Sequence, residues 1–302
     1  MTSAPDFPEA FNSADAFSLQ GQHRTIRGTS ARLLLAMVAT LCLSLAPLWP
    51  TEISDHREIE VTGIVAAMLF LVAFIVELWQ LKLRPEQDWY DGRAVAESAK
   101  TLAWRYAVGG DPYPLDLETA EEDFARDVRA LGTDLEALRP AVARGSSPTQ
   151  WMVGLRGTDL ITRSDAYLRQ RVRDQEEWYT RKAEYNRRRA RMWSLTLLSA
   201  EALGVVLALL KSLSIVRIDL ASLAAAVIAS GVAWLGLKQH EAIGAAYALA
   251  SSELGSVHVR LLEVESEARW AEEVGSAEEA ISREHTMWRA SRINHESSGA
   301  SD

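Results

Sequence analysis

Cysteine is almost missing from this chain of 302 residues, which has only Cys42. One thiol excludes an intrachain disulfide framework and a cysteine-built zinc site. Cys42 itself lies in an apolar run, where its plain role is that of a small side chain facing lipid or a neighbouring helix. Positive charge is also in deficit, with 32 Lys and Arg against 41 Asp and Glu and a net charge of -9. That balance argues against a dedicated nucleic-acid binder, which carries a basic footprint. No glycine-rich phosphate loop occurs, because Gly109-Gly110 is followed by Asp111-Pro112 and marks a helix stop. HExxH and CxxC are absent, and His23, His56, His240, His258, His285 and His295 are scattered. No Ser/His/Asp constellation follows from spacing. The chain is therefore expected not to be an enzyme and to hold no cofactor or metal.

What is present is apolar sequence in blocks. Four runs, Leu33–Trp49, Val61–Leu81, Met192–Leu210 and Leu220–Leu237, concentrate the apolar residues in an otherwise polar chain. Each approaches the ~20 residues that a helix needs to cross a hydrocarbon core. Within each pair only a short tip separates the runs. The expected fold is an all-α membrane protein with two transmembrane helical hairpins, four spans in all, continued into long cytoplasmic helices. The first run follows basic residues and ends near a small-x-small site, Ser44-Leu45-Ala46. Pro47 would follow that cut and a second span returns at once, so an uncleaved span is expected.

Lys and Arg near the spans set orientation. Arg24, Arg27 and Arg32 precede span one, Lys82 and Arg84 follow span two, Arg187, Arg188, Arg189 and Arg191 precede span three, and Lys238 follows span four. The first tip, residues 51–60, is net acidic, and the second holds Lys211, Arg217 and Asp219. Both termini and the central segment are thus expected in the cytoplasm. Trp49 marks an outer end, and Trp79, Trp193 and Trp234 lie near inner ends, where indole rings favour the headgroup layer. The Arg187–Arg191 cluster is a candidate for lipid-headgroup or phosphate contact, at about 1 kcal/mol per cation against anionic lipid.

Two carboxylates fall inside the spans. Glu77 lies near the inner end of span two and Glu201 near the middle of span three. A charge near the centre of a span costs roughly 2.5–3.5 kcal/mol on insertion scales, so both are candidates to line a pore or polar interior. Glu77 has the alternative of reaching the interface beside Lys82, and Glu201 that of a protonated helix–helix hydrogen bond. Small residues line span four as Ser222, Ala226 and Ser230 and as Ala225, Ala229 and Ala233, with Gly204 and Ala208 in span three. Such lines let helices approach closely in lipid, within one chain or between subunits.

Outside the spans, five segments are expected: an N-terminal tail over 1–31, a hairpin with its cytoplasmic helix over 32–110, a connector over 111–164, a second unit over 165–292 and a disordered tail over 293–302. In the first arm Gly92, Val95, Ala96, Ala99, Leu102, Ala103 and Tyr106 share a helical face, with Arg93 and Glu97 paired on another. Residues 115–138 form an acidic amphipathic candidate helix through Leu117, Phe124, Val128 and Leu131, broken by Pro140 and Gly145. Leu168, Val172, Gln175, Trp178, Tyr179 and Ala183 share a face of the helix leading into span three. After span four, Tyr247, Ala250, Leu254, Val257, Leu261, Val264, Ala268 and Ala271 recur at heptad spacing. This seam is a candidate for assembly, against the basic helix, the first arm or another subunit.

Three strings carry a family resemblance: residues 89–106 (WYDGRAVAESAKTLAWRY), 167–179 (YLRQRVRDQEEWY) and 277–288 (AEEAISREHTMW). Together they resemble a tandem SLATT protein, of the SMODS- and SLOG-associating two-transmembrane effectors. The resemblance covers roughly 32–292. It implies a bacterial membrane effector in nucleotide-linked conflict or antiphage systems, acting as an oligomeric gated pore or channel. It supplies no catalytic residues. A cytoplasmic sensor protein or nucleotide signal would act as trigger; the alternative is a non-conducting anchored scaffold whose helical stalk docks a partner.

Overall fold

The computed structural model describes residues 4–46, 61–133, 137–216 and 218–298, with side chains as far as residue 282. Pro47, Trp49, the first tip at 51–60, Arg217 and the side chains of Arg283–Trp288 lie outside the described residues. The described chain is all helix and turn: α1 Glu9–Ser44, α2 Val61–Leu83, α3 Pro85–Val108, α4 Ala120–Leu131, α5 Arg139–Arg144, α6 Gln150–Arg156 and α7 Leu160–Tyr167. A π-helical turn, Leu168–Arg173, leads into α8 Asp174–Ser212, followed by α9 Leu220–Lys238, α10 His240–Leu262 and α11 Glu267–Ser298. Four of these stretches are long and apolar enough to cross a membrane, and they pair as α1–α2 and α8–α9.

Local chemistry sets the breaks. The carboxylate of Asp219 accepts the backbone N–H of Ser222 at 3.1 Å and starts α9, and that of Asp159 accepts from Thr162 at 2.7 Å and starts α7. Both returning spans end on a left-handed residue, Arg84 at φ 45° and Gln239 at φ 46°. Pro85 then opens α3, where its missing N–H costs nothing. Gly109, at φ 71°, ends that helix in the conformation glycine adopts most easily.

The helices fall into two units. The membrane unit comprises residues 23–85 and 185–243. In its second hairpin, Gly204 faces Ala224 and Ile228, and Leu197 packs onto Gly231, where a Cβ would lie 2.7 Å from Leu197 Cδ2. Spans three and four therefore pack within the chain, with Gly204 of the expected span-three line in the contact. The contact line is Ala224, Ile228 and Gly231, while Ser222, Ala225 and Ala229 stay exposed. In the first hairpin Gln80 donates to the Thr25 carbonyl at 3.2 Å, and Gly28 makes room for that amide.

The helical unit comprises residues 1–22, 86–184 and 244–302. Its core gathers Trp104, Tyr113, Phe124, Val128, Tyr167, Trp270 and Val274, with Phe7, Trp151 and Trp178 packed around it. The expected faces of α3 and α4 are the buried ones, and Arg93 pairs with Glu97 at 3.4 Å. Three expectations need correction. The segment 1–31 is no tail, since α1 begins at Glu9 and buries Ala10, Ala14 and Ser18, with Ser18 Oγ donating to the Trp89 carbonyl at 2.8 Å. Residues after Pro140 form α5, with the proline in its first turn. The heptad seam is not one helix, because α10 ends at Leu262 and α11 starts at Glu267, leaving Val264 between them. At the other end α11 continues to Ser298, into the segment expected to be a tail.

Candidate functional site

The two membrane carboxylates have different surroundings. Glu77 forms an ion pair with Arg32 of the same hairpin, and both side chains are part-buried. Its ion-pair partner is therefore Arg32 and not Lys82. Glu201 is exposed on α8 with no ion pair described. It is the middle residue of the run 192–210, about 14 Å along the axis from Met192 at 1.5 Å per residue. Its neighbours Leu198 (62% exposed) and Val205 (62%) point outward as well. Ser194 and Ala208 share its line at seven-residue spacing and are exposed too. The Trp193, Leu197, Gly204 side of the helix is the one that turns inward.

At the end of the span Arg187, Arg188, Arg189 and Arg191 are all exposed, with the Arg189 guanidinium over the Tyr185 ring at 5.4 Å. Lys238 lies over the Trp234 ring at 4.9 Å, and His240 Nδ1 meets Asn186 Oδ1 at 2.7 Å. These basic and aromatic side chains all belong to the membrane unit.

The candidate assembly seam is consumed inside the chain. Leu254, Val257 and Leu261 are buried, and Tyr247 and Val264 pack against the same core. Tyr247 packs edge-on against Trp178 and at a tilt against Tyr179 of α8, at ring separations of 5.2 and 5.4 Å. The basic helix of the same half meets the seam at Tyr247, and the first half meets its far end, where Asp111 N–H donates to the Ala271 carbonyl at 2.9 Å. As a surface for another subunit, the seam is corrected.

A cluster that spacing did not disclose lies in the helical unit. Arg171 and Glu278, both essentially inaccessible, form a two-pronged pair: Nε to Oε1 at 2.9 Å and Nη2 to Oε2 at 2.7 Å. Tyr167 donates to Oε1 at 2.9 Å and Thr101 to Oε2 at 2.9 Å, so both carboxylate oxygens are saturated. Arg171 lies in the π turn with Leu168 and Val172, which are buried with it, while Arg169 and Arg173 of the same turn stay exposed. Burial works against the Arg171 charge, and the Glu278 carboxylate more than offsets it, holding the guanidinium above its ordinary value. Beside it, burial and the Arg171 charge lower Lys100.

A second buried cation, Arg163, donates to the carbonyls of Thr158 and Val108 and to Glu267 at 2.5 Å. Arg156 caps the carbonyls of Tyr106, Tyr113 and Pro114 at 2.7–2.9 Å. A carboxylate saturated by four donors and guanidiniums spent on carbonyls form a structural lock. Among the described residues no His, Cys, Asp and Glu gather into a metal-sized cluster.

Four apolar spans in two hairpins, with a carboxylate at the centre of one, define an all-α multi-pass membrane protein. The chain belongs to the SMODS- and SLOG-associating two-transmembrane effector family, in tandem. Residues 8–164 match the model of SMODS and SLOG-associating 2TM effector domain 3, and residues 167–288 match that of domain 1. No curated protein and no solved structure matches the chain. The helical unit draws on both matches, as does the membrane unit.

Proposed function

We propose that this membrane effector is the subunit of an oligomeric gated pore or channel in a bacterial nucleotide-linked conflict or antiphage system. The observation that carries the reading is Glu201, exposed at the middle of an apolar span. Against lipid tails that carboxylate would cost roughly 2.5–3.5 kcal/mol, whereas copies that turn it toward a shared polar interior remove the cost. Family membership supports a membrane effector role. The cationic flanks at Arg27, Arg32, Lys82 and Arg187–Arg191 support placing the helical unit and both termini in the cytoplasm. No catalytic step belongs to this reading; a cytoplasmic sensor protein or a nucleotide supplies the trigger.

The test is flux through liposomes holding the purified chain. Ions or a small dye escape once partner proteins or nucleotides are added, and Glu201→Leu impairs the escape. Vesicles that stay sealed under every such trigger overturn the reading. The scaffold alternative has one observation in its favour: Ile161 (80% exposed) and Val153 (45%) are open apolar side chains on the helical unit. It expects Ile161→Asp to abolish function while Glu201→Leu leaves it intact.

A further inference from the structure

The charge inventory of the spans points to what a pore of this chain would select. Glu77 is neutralised by Arg32. In the runs 33–46, 61–81, 192–210 and 220–237, Glu77 and Glu201 are the only acidic or basic side chains among the described residues. Among the described residues of the spans, Glu201 is thus the acidic or basic side chain with no ion pair described, and it is an acid. The hydroxyls near it do not answer that charge. Ser194, Thr196 and Ser199 each donate to the carbonyl four residues earlier, at 3.0, 2.9 and 2.8 Å.

From this we infer that Glu201 is the cation-binding group of the membrane unit. Carboxylates from several copies, presented to a shared aqueous interior, hold and pass small inorganic cations and turn anions away. This rests on the pore reading above and adds to it the class of the transported species. The physics is that of charged rings in cation channels: carboxylates brought together around an aqueous interior attract small cations, which offset their mutual repulsion. Seven-residue spacing of Ser194, Glu201 and Ala208 leaves small side chains one helical line above and below the carboxylate, so an ion meets it unobstructed. The Arg187–Arg191 cluster does not cancel it. Arg191 is ten residues away along the helix, about 15 Å, too far to form an ion pair with it.

Two measurements on the full chain in liposomes test this. Under a potassium chloride gradient, the reversal potential of triggered currents should report about a tenfold preference for K⁺ over Cl⁻, the equivalent of about 1.4 kcal/mol. Glu201→Gln should bring the ratio toward one and Glu201→Lys should invert it. Ser199→Ala, on the opposite flank of α8, should keep the wild-type ratio. The second measurement needs no open state. A hydrophobic carbodiimide labels membrane-buried carboxyls, and mass spectrometry reads the adduct at Glu201. Potassium or sodium should slow that labelling severalfold relative to choline. Currents without cation preference, or with a preference that survives Glu201→Gln, overturn the inference and leave the pore standing. Labelling at one rate in potassium, sodium and choline overturns it as well. Cation-protected labelling with no flux under any trigger overturns the pore reading and keeps Glu201 as a cation site.

Discussion

Replacing Glu278 with alanine isolates the energetics of the buried lock. The substitution leaves Arg171, 1% exposed, as a guanidinium without its counter-charge. It also removes the acceptor of the Tyr167 and Thr101 hydroxyls. Breaking a buried ion pair from one side costs about 3–5 kcal/mol, because desolvation of the survivor is no longer compensated. At roughly 2–4 °C per kcal/mol for a unit of this size, the helical unit should melt about 6–20 °C lower. The assay is loss of helical circular dichroism on heating the full chain in detergent. Removing both charges should do far less harm, since a buried pair replaced by apolar side chains of similar size is often neutral. Arg171→Met with Glu278→Leu should thus recover most of the lost melting temperature, short of the Tyr167 and Thr101 partners. A single substitution costing under about 1 kcal/mol, the scale of an exposed pair, would refute the claim that this pair is desolvated. A double variant as unstable as the sum of the singles would refute the claim that the penalty is an uncompensated charge.

Two further outcomes follow from the same unit. Gly110→Ala should cost about 1–3 kcal/mol, since its Cβ would fall inside the Val274 side chain and an overpacked core shifts backbone; a melting temperature equal to wild type would show that Val274 yields freely. Alkaline pH should also destabilise the unit. Burial raises the phenols of Tyr113 and Tyr167 above their ordinary value near 10, with the Asp127 and Glu278 carboxylates adding to the effect. Their contribution is full below about pH 10 and is lost as pH rises beyond it, because only the unfolded chain releases those protons readily. Melting curves between about pH 8 and 12 should fall more steeply for wild type than for Tyr113→Phe/Tyr167→Phe, and parallel curves would sink the assignment.

The spans, the amphipathic faces of α3 and α4 and the basic rim were legible because large apolar or charged residues recur there at helical spacing. The N-terminal half of α1 was not. Its inward line is Ala10, Ala14, Ser18, Gly21, Thr25 and Gly28, small residues that bury little apolar area but let neighbouring backbone approach. Gly92 shows how close that approach is, since a Cβ there would lie 2.8 Å from the Ser18 nitrogen. The lock was hidden for another reason. Arg171 sits in the arginine-rich stretch Arg169-Gln170-Arg171-Val172-Arg173, whose Arg169 and Arg173 stay in water. Helical spacing puts Arg171 three residues after Leu168 and four after Tyr167, on the inward face, but says nothing of the acid it meets, which lies 107 residues further on. Glu201 was visible as a residue, but only the packing of α8 on α9 shows that it turns away from its own hairpin.

The inter-element contacts explain why the two matched segments form one chain. In the membrane unit, Arg32–Glu77 and Gln80–Thr25 lie within the first match, while Leu197–Gly231 and Gly204–Ala224 lie within the second. Each hairpin thus closes on itself. In the helical unit several polar contacts run between the matches, although the Arg171–Glu278 pair itself lies within the second. Thr101 of the first meets Glu278 of the second, Arg163 meets Glu267, Arg105 donates to the Gly275 carbonyl, and Trp270 donates to the Val108 carbonyl. A buried arginine such as Arg163 cannot be left behind by a segment folding alone, because it would keep its charge and lose its carboxylate. Hairpins can enter a bilayer one at a time, each satisfying its own backbone. The helical unit cannot be assembled in such instalments. Joining the segments covalently keeps the two halves of each buried contact at high effective concentration, which is where a tandem chain gains over two separate ones.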